Sequence, residues 1–282
     1  LLILILPLPT LAQSATTTGL TAVLEGYVVD GKVDYDGIRE NRRKELQAFV
    51  RGLATAEPEK LSKTDQIAFW LDAYNGLVVH QVVAENAAPD SGRARSKFFR
   101  GRRYEVAGQK RTLDDIEHKA LLPLAKDPRL HFVLVCGAQS CPPLRASSFL
   151  GSGDLNQVLE TAATDYINHP DNVTIDAANR KLVLNQVFDW YRDDFGNVLE
   201  FVARYHVDGE QLRSGEWDID YRDYDWNLNQ AQPEDLSLAA MAGTAREPLQ
   251  PGTPLPPLPG HRPGQLMGPH GLVLVVFRSA DW

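Results

Sequence analysis

A chain of 282 residues, 43% apolar and 23% charged, is long enough for one large domain or two small ones, and a core of that size is stable without disulfides. Its 29 Lys and Arg against 37 Asp and Glu leave a formal charge of −8. That balance argues against a nucleic-acid partner, because phosphate binding draws on clustered Lys and Arg.

The chain opens LLILILPLPTLAQSA, an apolar run followed by small residues in an A-x-A-like frame at Thr10 and Ala12. It is shorter than the roughly 20 residues that cross a bilayer. Residues 1–14 read as the back half of a secretory signal peptide, and the expected location is periplasmic or secreted. Residues 15–230 read as one globular unit of α+β class. The turn Asp30-Gly31 in VDGKVDYDGI predicts a hairpin. Leu46, Phe49, Val50 and Leu53 lie at helical spacing within 39–54. Ser62 and Asp65 form an S-x-x-D helix start, opening a largely buried helix over 63–86. Arg93, Arg95, Lys97, Arg100, Arg102 and Arg103 read as a solvated basic loop. YEVAGQKR predicts a hairpin around Gly108, and Thr112 caps a helix over 113–122 with Asp114 and Asp115 in its first turn. LHFVLVC, residues 130–136, reads as a central buried strand. A helix over 153–168 follows, then a hairpin of NVTID with KLVLN, helices at 186–195 and 197–205, and a short strand near 217–221. Residues 231–282 are rich in Pro and Gly and read as a disordered tail. The closing GLVLVVF is too short to span a membrane.

Chemistry concentrates in DPRLHFVLVCGAQSCPPLR, which carries both cysteines of the chain. Cys141 follows a small-residue turn and precedes Pro142-Pro143, which stiffen the chain behind it. A nucleophilic thiol needs a base and a lowered pKa. His131 and His118 are the candidate bases, with Glu117 or Asp114 as orienter; Asp114 lies at i,i+4 from His118. Cys136 reads as a packing residue of the strand or as half of a disulfide to Cys141, which the GAQS turn allows if it brings the two Cα atoms within about 7 Å. On the helix 63–86, Asp72 and Asn75 interrupt an apolar sequence. Buried, they either tie the helix to neighbouring backbone or point into a pocket. Gly76 permits close approach of another backbone. Asp189, Asp193 and Asp194 read as a solvated acidic face. The chain has no H-E-x-x-H, G-x-S-x-G, Walker A or G-x-G-x-x-G motif, and zinc-finger spacing is absent, so no cofactor or metal is expected.

The ordered blocks GKVDYDGI, DQIAFWLDAYNGLVV, LDDIEHKALL, DPRLHFVLVCGAQSCPPLR, LVLNQVFDWYRDDFG and YDWNLN resemble the domain-of-unknown-function 547 family (DUF547) over about residues 25–230. Trp70, Asn75, Glu117, His118, Arg129, His131, Cys136, Cys141 and Pro142 match its motifs. Asp72 departs from them, standing where the family pattern has Asn. The resemblance implies a fold and an exported bacterial origin, and no established reaction.

Two readings stay open at this point. One is a thiol-centred hydrolase or acyl-transfer site with Cys141 as nucleophile, His118 or His131 as base, Glu117 or Asp114 as orienter and Asn75 as oxyanion or substrate donor. The other is a non-catalytic envelope binding or scaffolding module stapled by a Cys136–Cys141 disulfide. Either takes a small-molecule or peptide ligand, with no stable membrane span.

Overall fold

A computed structural model of the chain describes residues 19–85 and 89–236. The chain divides into two units, 1–232 and 233–282, and of the second only the helical turn 233–236 is described. The apolar start 1–14 and the Pro-rich stretch beyond residue 236 lie outside the described residues.

Helix α1 (19–24) leads into the hairpin β1 (Val28–Val29) and β2 (Lys32–Val33), which turns at Asp30-Gly31 as the sequence predicts. The Asp34 carboxylate accepts the Gly37 N–H and starts α2 (Tyr35–Asn41). A break at Arg42 separates α2 from α3 (Arg43–Ala54), which buries Leu46, Phe49 and Leu53. Thus the helix predicted over 39–54 is two helices. The Ser62 hydroxyl accepts the Asp65 N–H at 3.2 Å at the head of α4 (Lys63–Glu85).

Helix α4 is the axis of the unit. From Ala68 to Val83 nearly every residue is buried, so it carries no solvent stripe and is surrounded by packing partners. Gly76 makes this possible on one side. A Cβ there would lie 2.2 Å from Cε1 of Phe49, so the close neighbour is the Phe49 ring and not another backbone.

Next come α5 (Gly92–Ser96), running into a π-turn over Lys97–Gly101, and the hairpin β3 (Tyr104–Val106) and β4 (Gln109–Arg111) around Ala107-Gly108. The basic cluster is therefore mainly helical. Thr112 and Asp115 form a reciprocal capping box at the start of α6 (Leu113–Asp115). This helix widens into a π-turn over Ile116–Leu121 before α7 (Leu122–Ala125). Pro123 explains the widening: it has no N–H to return to the preceding turn, and the Leu122 N–H reaches back to the Glu117 carbonyl.

The expected strand 130–136 is not a strand. Residues Pro128–Phe132 form a 3-10 helix, started by Pro128 and by the Asp127 carboxylate accepting the Arg129 N–H. The residues after it form no strand and pair with a side chain: Asn75 Nδ2 donates to the Val133 carbonyl at 2.9 Å and its Oδ1 accepts the Val135 N–H at 3.1 Å. The tight helix also splits the apolar run between two cores. Leu130 and Val133 join the cluster around α4, while Phe132 joins a second one with Tyr166, Phe188, Phe195 and Phe201. The alternation of faces expected for a strand is accordingly absent.

Helix α8 (Leu155–Asn168) is capped by Asp154, and the hairpin β5 (Val173–Asp176) and β6 (Lys181–Leu184) follows as predicted. Short helices α9 (Val187–Trp190), α10 (Arg192–Phe195), α11 (Val198–Tyr205) and α12 (Gly209–Arg213) then lead to β7 (Asp218–Tyr221). β7 pairs parallel to β6, giving a three-stranded sheet of order β5-β6-β7. Helices and small separate sheets share one unit, the α+β class read from the sequence. Among the described residues no helix is long and apolar enough to cross a membrane.

Candidate functional site

A cavity of about 580 Å³ opens where the residues after the 3-10 helix, the π-turn 116–121, α9 and the segment 224–226 converge. Five of the six residues expected to carry chemistry line it: Cys141, His118, His131, Glu117 and Asp114. Asn75 does not. Its amide is buried and serves the backbone of Val133 and Val135, so the role of oxyanion or substrate donor is replaced by one of support.

Cys136 and Cys141 are free, partly exposed thiols, so the expected structural disulfide is absent. Gly137 begins the turn between them at φ +83°, where an L side chain is strained, and the Cys141 N–H closes the turn on the Ala138 carbonyl at 3.1 Å. A second segment pins it. Gln139 N–H donates to the Asn227 carbonyl at 2.8 Å, Ser140 N–H to Asp225 at 3.2 Å, and Asn229 N–H to Gly137 at 3.0 Å. That pairing delivers Tyr224, whose hydroxyl lies 3.2 Å from Cys136 Sγ.

The two thiols are not equivalent. Burial pushes the Cys136 thiol up, but hydrogen bonds from the Cys141 thiol, the Tyr224 hydroxyl and the Ala138 N–H outweigh it and hold its pKa below the ordinary value. Burial, together with its hydrogen bond to a charged Cys136, holds the Cys141 thiol well above the ordinary value. Burial likewise keeps Tyr224 protonated and able to donate. The thiol that ionises first is therefore Cys136, with Cys141 as one of its donors, which reverses the order expected from the sequence.

Among the described residues no imidazole hydrogen-bonds to either thiol. His131 is buried and stacked on Tyr191, ring centroids 3.7 Å apart, and its Nε2 lies 2.8 Å from Asp194 Oδ2. Burial pulls its pKa down against the raising effect of Asp194, which favours the neutral ring near neutral pH. A neutral ring that donates from Nε2 keeps a lone pair on Nδ1, and that atom is buried without a hydrogen-bond partner among the described residues. His118 is half exposed, with Nδ1 3.3 Å from the Asp114 carbonyl and Nε2 3.8 Å from Glu117 Oε1. Glu117 is buried and accepts the Tyr191 hydroxyl at 2.7 Å. Both Glu117 and His118 stand on the π-turn, which re-aims side chains relative to a regular helix.

Asp194, Tyr191 and Tyr224 belong to the site and were not read as such from the sequence. Asp194 counted there as a solvated acid; half exposed, it is nevertheless the partner of the buried His131. Arg129 anchors the 3-10 helix through a bidentate pair with Asp127 and bonds to Glu160 at 2.8 Å and Asn156 at 2.9 Å on α8. Along the cavity wall Trp190 stacks on Trp226 and both tilt against Tyr224, with centroids 4.6 to 5.7 Å apart, and the Arg95 guanidinium lies 4.3 Å from the Trp226 ring centre. No group of three or more His, Cys, Asp or Glu side chains among the described residues is placed to hold a metal ion.

Residues 58–167 match the family described as "Protein of unknown function, DUF547". The similarity to that family covers this segment and less than half of the chain. The segment contains α4, the π-turn with Glu117 and His118, the 3-10 helix with His131, and both thiols. Asp194, Tyr191 and Tyr224, which complete the site, lie C-terminal to the matched residues. No curated protein and no solved structure matches the chain significantly.

Proposed function

We propose that the protein is an exported thiol-dependent hydrolase or acyl transferase with Cys136 as nucleophile. The observation that carries this reading is the set of donors around Cys136 Sγ, inside a cavity that also presents His131, His118 and Glu117. In the proposed cycle the Cys136 thiolate attacks the acyl carbon of a bound ester, thioester or amide. The carbonyl electron pair moves to oxygen and returns as the leaving group departs. His131 Nδ1 holds the proton lost by Cys136 and gives it to that leaving group. Water, or a second nucleophile in a transferase, then attacks the thioester with His131 as base. Asp194 holds the imidazole in the tautomer this requires.

The test uses a chromogenic thioester and p-nitrophenyl acetate as probes on the full chain. Cys136→Ser abolishes acyl transfer with an unchanged circular dichroism spectrum, whereas Cys141→Ser retains part of it. Unchanged turnover in Cys136→Ser overturns the proposal. The rival reading, a non-catalytic binding module, draws support from Trp190, 47% exposed beside Tyr224 and Trp226, a ring surface suited to a flat ligand. It leads if neither probe is turned over and no thiol reacts faster than a free peptide cysteine. Export is tested by locating the protein in fractionated cells.

A further inference from the structure

The chain holds two cysteines, and both line one cavity. The Cys136 N–H donates to Cys141 Sγ, so the second sulfur is held over the backbone of the first. The turn between them is fastened at Gly137, Gln139 and Ser140 by residues 225–229, so the pair is fixed by the fold and not by chance of a flexible loop. A single nucleophilic thiol has no need of a neighbouring thiol as donor, since a hydroxyl or backbone N–H would serve. A second sulfur adds something no other donor offers: it can displace oxygen from an oxidised first sulfur.

We propose that Cys136 and Cys141 form a hydroperoxide-responsive pair that closes into a reversible disulfide and so switches the thiol site off. This rests on Cys136 being the reactive thiol of the proposed site. In the first step the Cys136 thiolate attacks the terminal oxygen of hydrogen peroxide. An S–O bond forms, the O–O bond breaks, and the departing hydroxide takes a proton to leave as water. Cys136 is oxidised to the sulfenic acid and the peroxide is reduced. In the second step the Cys141 sulfur attacks Cys136 Sγ, the S–S bond forms, and the sulfenic oxygen leaves as water with the Cys141 proton. A dithiol reductant restores both thiols. The order of the steps agrees with the easier ionisation of Cys136 and the protonated state of Cys141.

The test is intact and peptide mass spectrometry of the full chain treated with stoichiometric hydrogen peroxide. Wild type is expected to lose the mass of two hydrogens, to yield a peptide linking Cys136 to Cys141, and to recover fully with dithiothreitol. Cys141→Ser cannot close the bond, so its Cys136 is expected to be trapped as a dimedone adduct and, without dimedone, to gain further oxygens. Accumulation of two or three oxygens on Cys136 in wild type, with no linked peptide, overturns the proposal. So does inertness to peroxide while iodoacetamide still alkylates Cys136 rapidly, an outcome that leaves the acyl-transfer reading standing. If Cys136 reacts with neither reagent, both fall. Cys141→Ala serves as a second variant, and the linked peptide in wild type decides the matter without either.

Discussion

Asn75 is the place where stability and the shape of the site can be tested together. Its amide makes two hydrogen bonds to buried backbone, at 2.9 Å to the Val133 carbonyl and 3.1 Å to the Val135 N–H, spanning 58 and 60 residues of sequence. Asn75→Ala leaves one carbonyl and one N–H without partners in a site closed to water. Each such group costs about 1–3 kcal/mol, so the variant should lose about 2–6 kcal/mol, a large share of the roughly 5–15 kcal/mol that holds a folded domain. Asn75→Asp keeps an acceptor for Val135 but sets an oxygen against the Val133 carbonyl, and should fall in the same range. Urea unfolding at neutral pH, followed by tryptophan fluorescence, measures both. Because Val135 precedes Cys136, the donors around that thiol should also be displaced, and iodoacetamide alkylation of folded Asn75→Ala should slow at neutral pH. A loss below about 1 kcal/mol would refute the reasoning, since it would mean the freed peptide groups find other partners.

Other perturbations separate the remaining roles. Asp72 is buried and accepts the Ser148 hydroxyl, the Phe149 N–H at 2.7 Å and the Leu150 N–H at 3.0 Å, yet burial prevails and raises its pKa from 3.8 to about 6. The folded state thus binds this proton more tightly than the unfolded chain. The corresponding stability is complete below about pH 4 and lost as pH rises through about 6, amounting to about 3 kcal/mol, and a flat difference between wild type and Asp72→Asn across that window would sink the claim. Tyr224→Phe removes one donor to Cys136 and should raise its pKa, slowing alkylation at neutral pH by about threefold to tenfold with little change at high pH; a uniform change at all pH values would point instead to access. Asp194→Asn removes the group that props up the pKa of His131 against burial, so the imidazole titration seen by proton NMR should move lower, and an upward movement would contradict the assignment.

The sequence discloses those features whose cause is local. Ser62-x-x-Asp65 and Thr112-x-x-Asp115 state two helix starts outright, because a cap needs only residues three apart. Asp30-Gly31 and Ala107-Gly108 mark hairpins for the same reason, with φ positive at all four positions. The run LHFVLVC fails this test. A continuous apolar stretch has no period to distinguish strand from helix, and what decides it is a proline at one end and an amide from α4 at the other. Cys141, His118, His131 and Glu117 were legible as a set because they fall in two blocks rich in chemically able residues. Their partners were not. Asp194 reaches His131 across 63 residues and Tyr224 reaches Cys136 across 88, and neither carries a local mark that sets it apart from an ordinary surface acid or packing tyrosine.

The order of the two thiols follows from the same distinction. From sequence, Cys141 is favoured, standing at a turn before Pro-Pro, while Cys136 ends an apolar run. In the fold the apolar surroundings penalise both charges, and the cavity cannot hold two thiolates side by side without adding their repulsion. Such a pair ionises once over a wide pH range, and the charge settles on the sulfur that receives more donors. Cys136 receives three: the Ala138 N–H and the Cys141 thiol from its own turn, and the Tyr224 hydroxyl from beyond it, brought in by the pairing of 225–229 with 137–140. Losing a proton at Cys136 strengthens the hydrogen bond from Cys141 and so makes a proton harder to lose there. The asymmetry is self-reinforcing, and it separates two residues of identical chemistry although, among the described residues, no imidazole hydrogen-bonds to either sulfur.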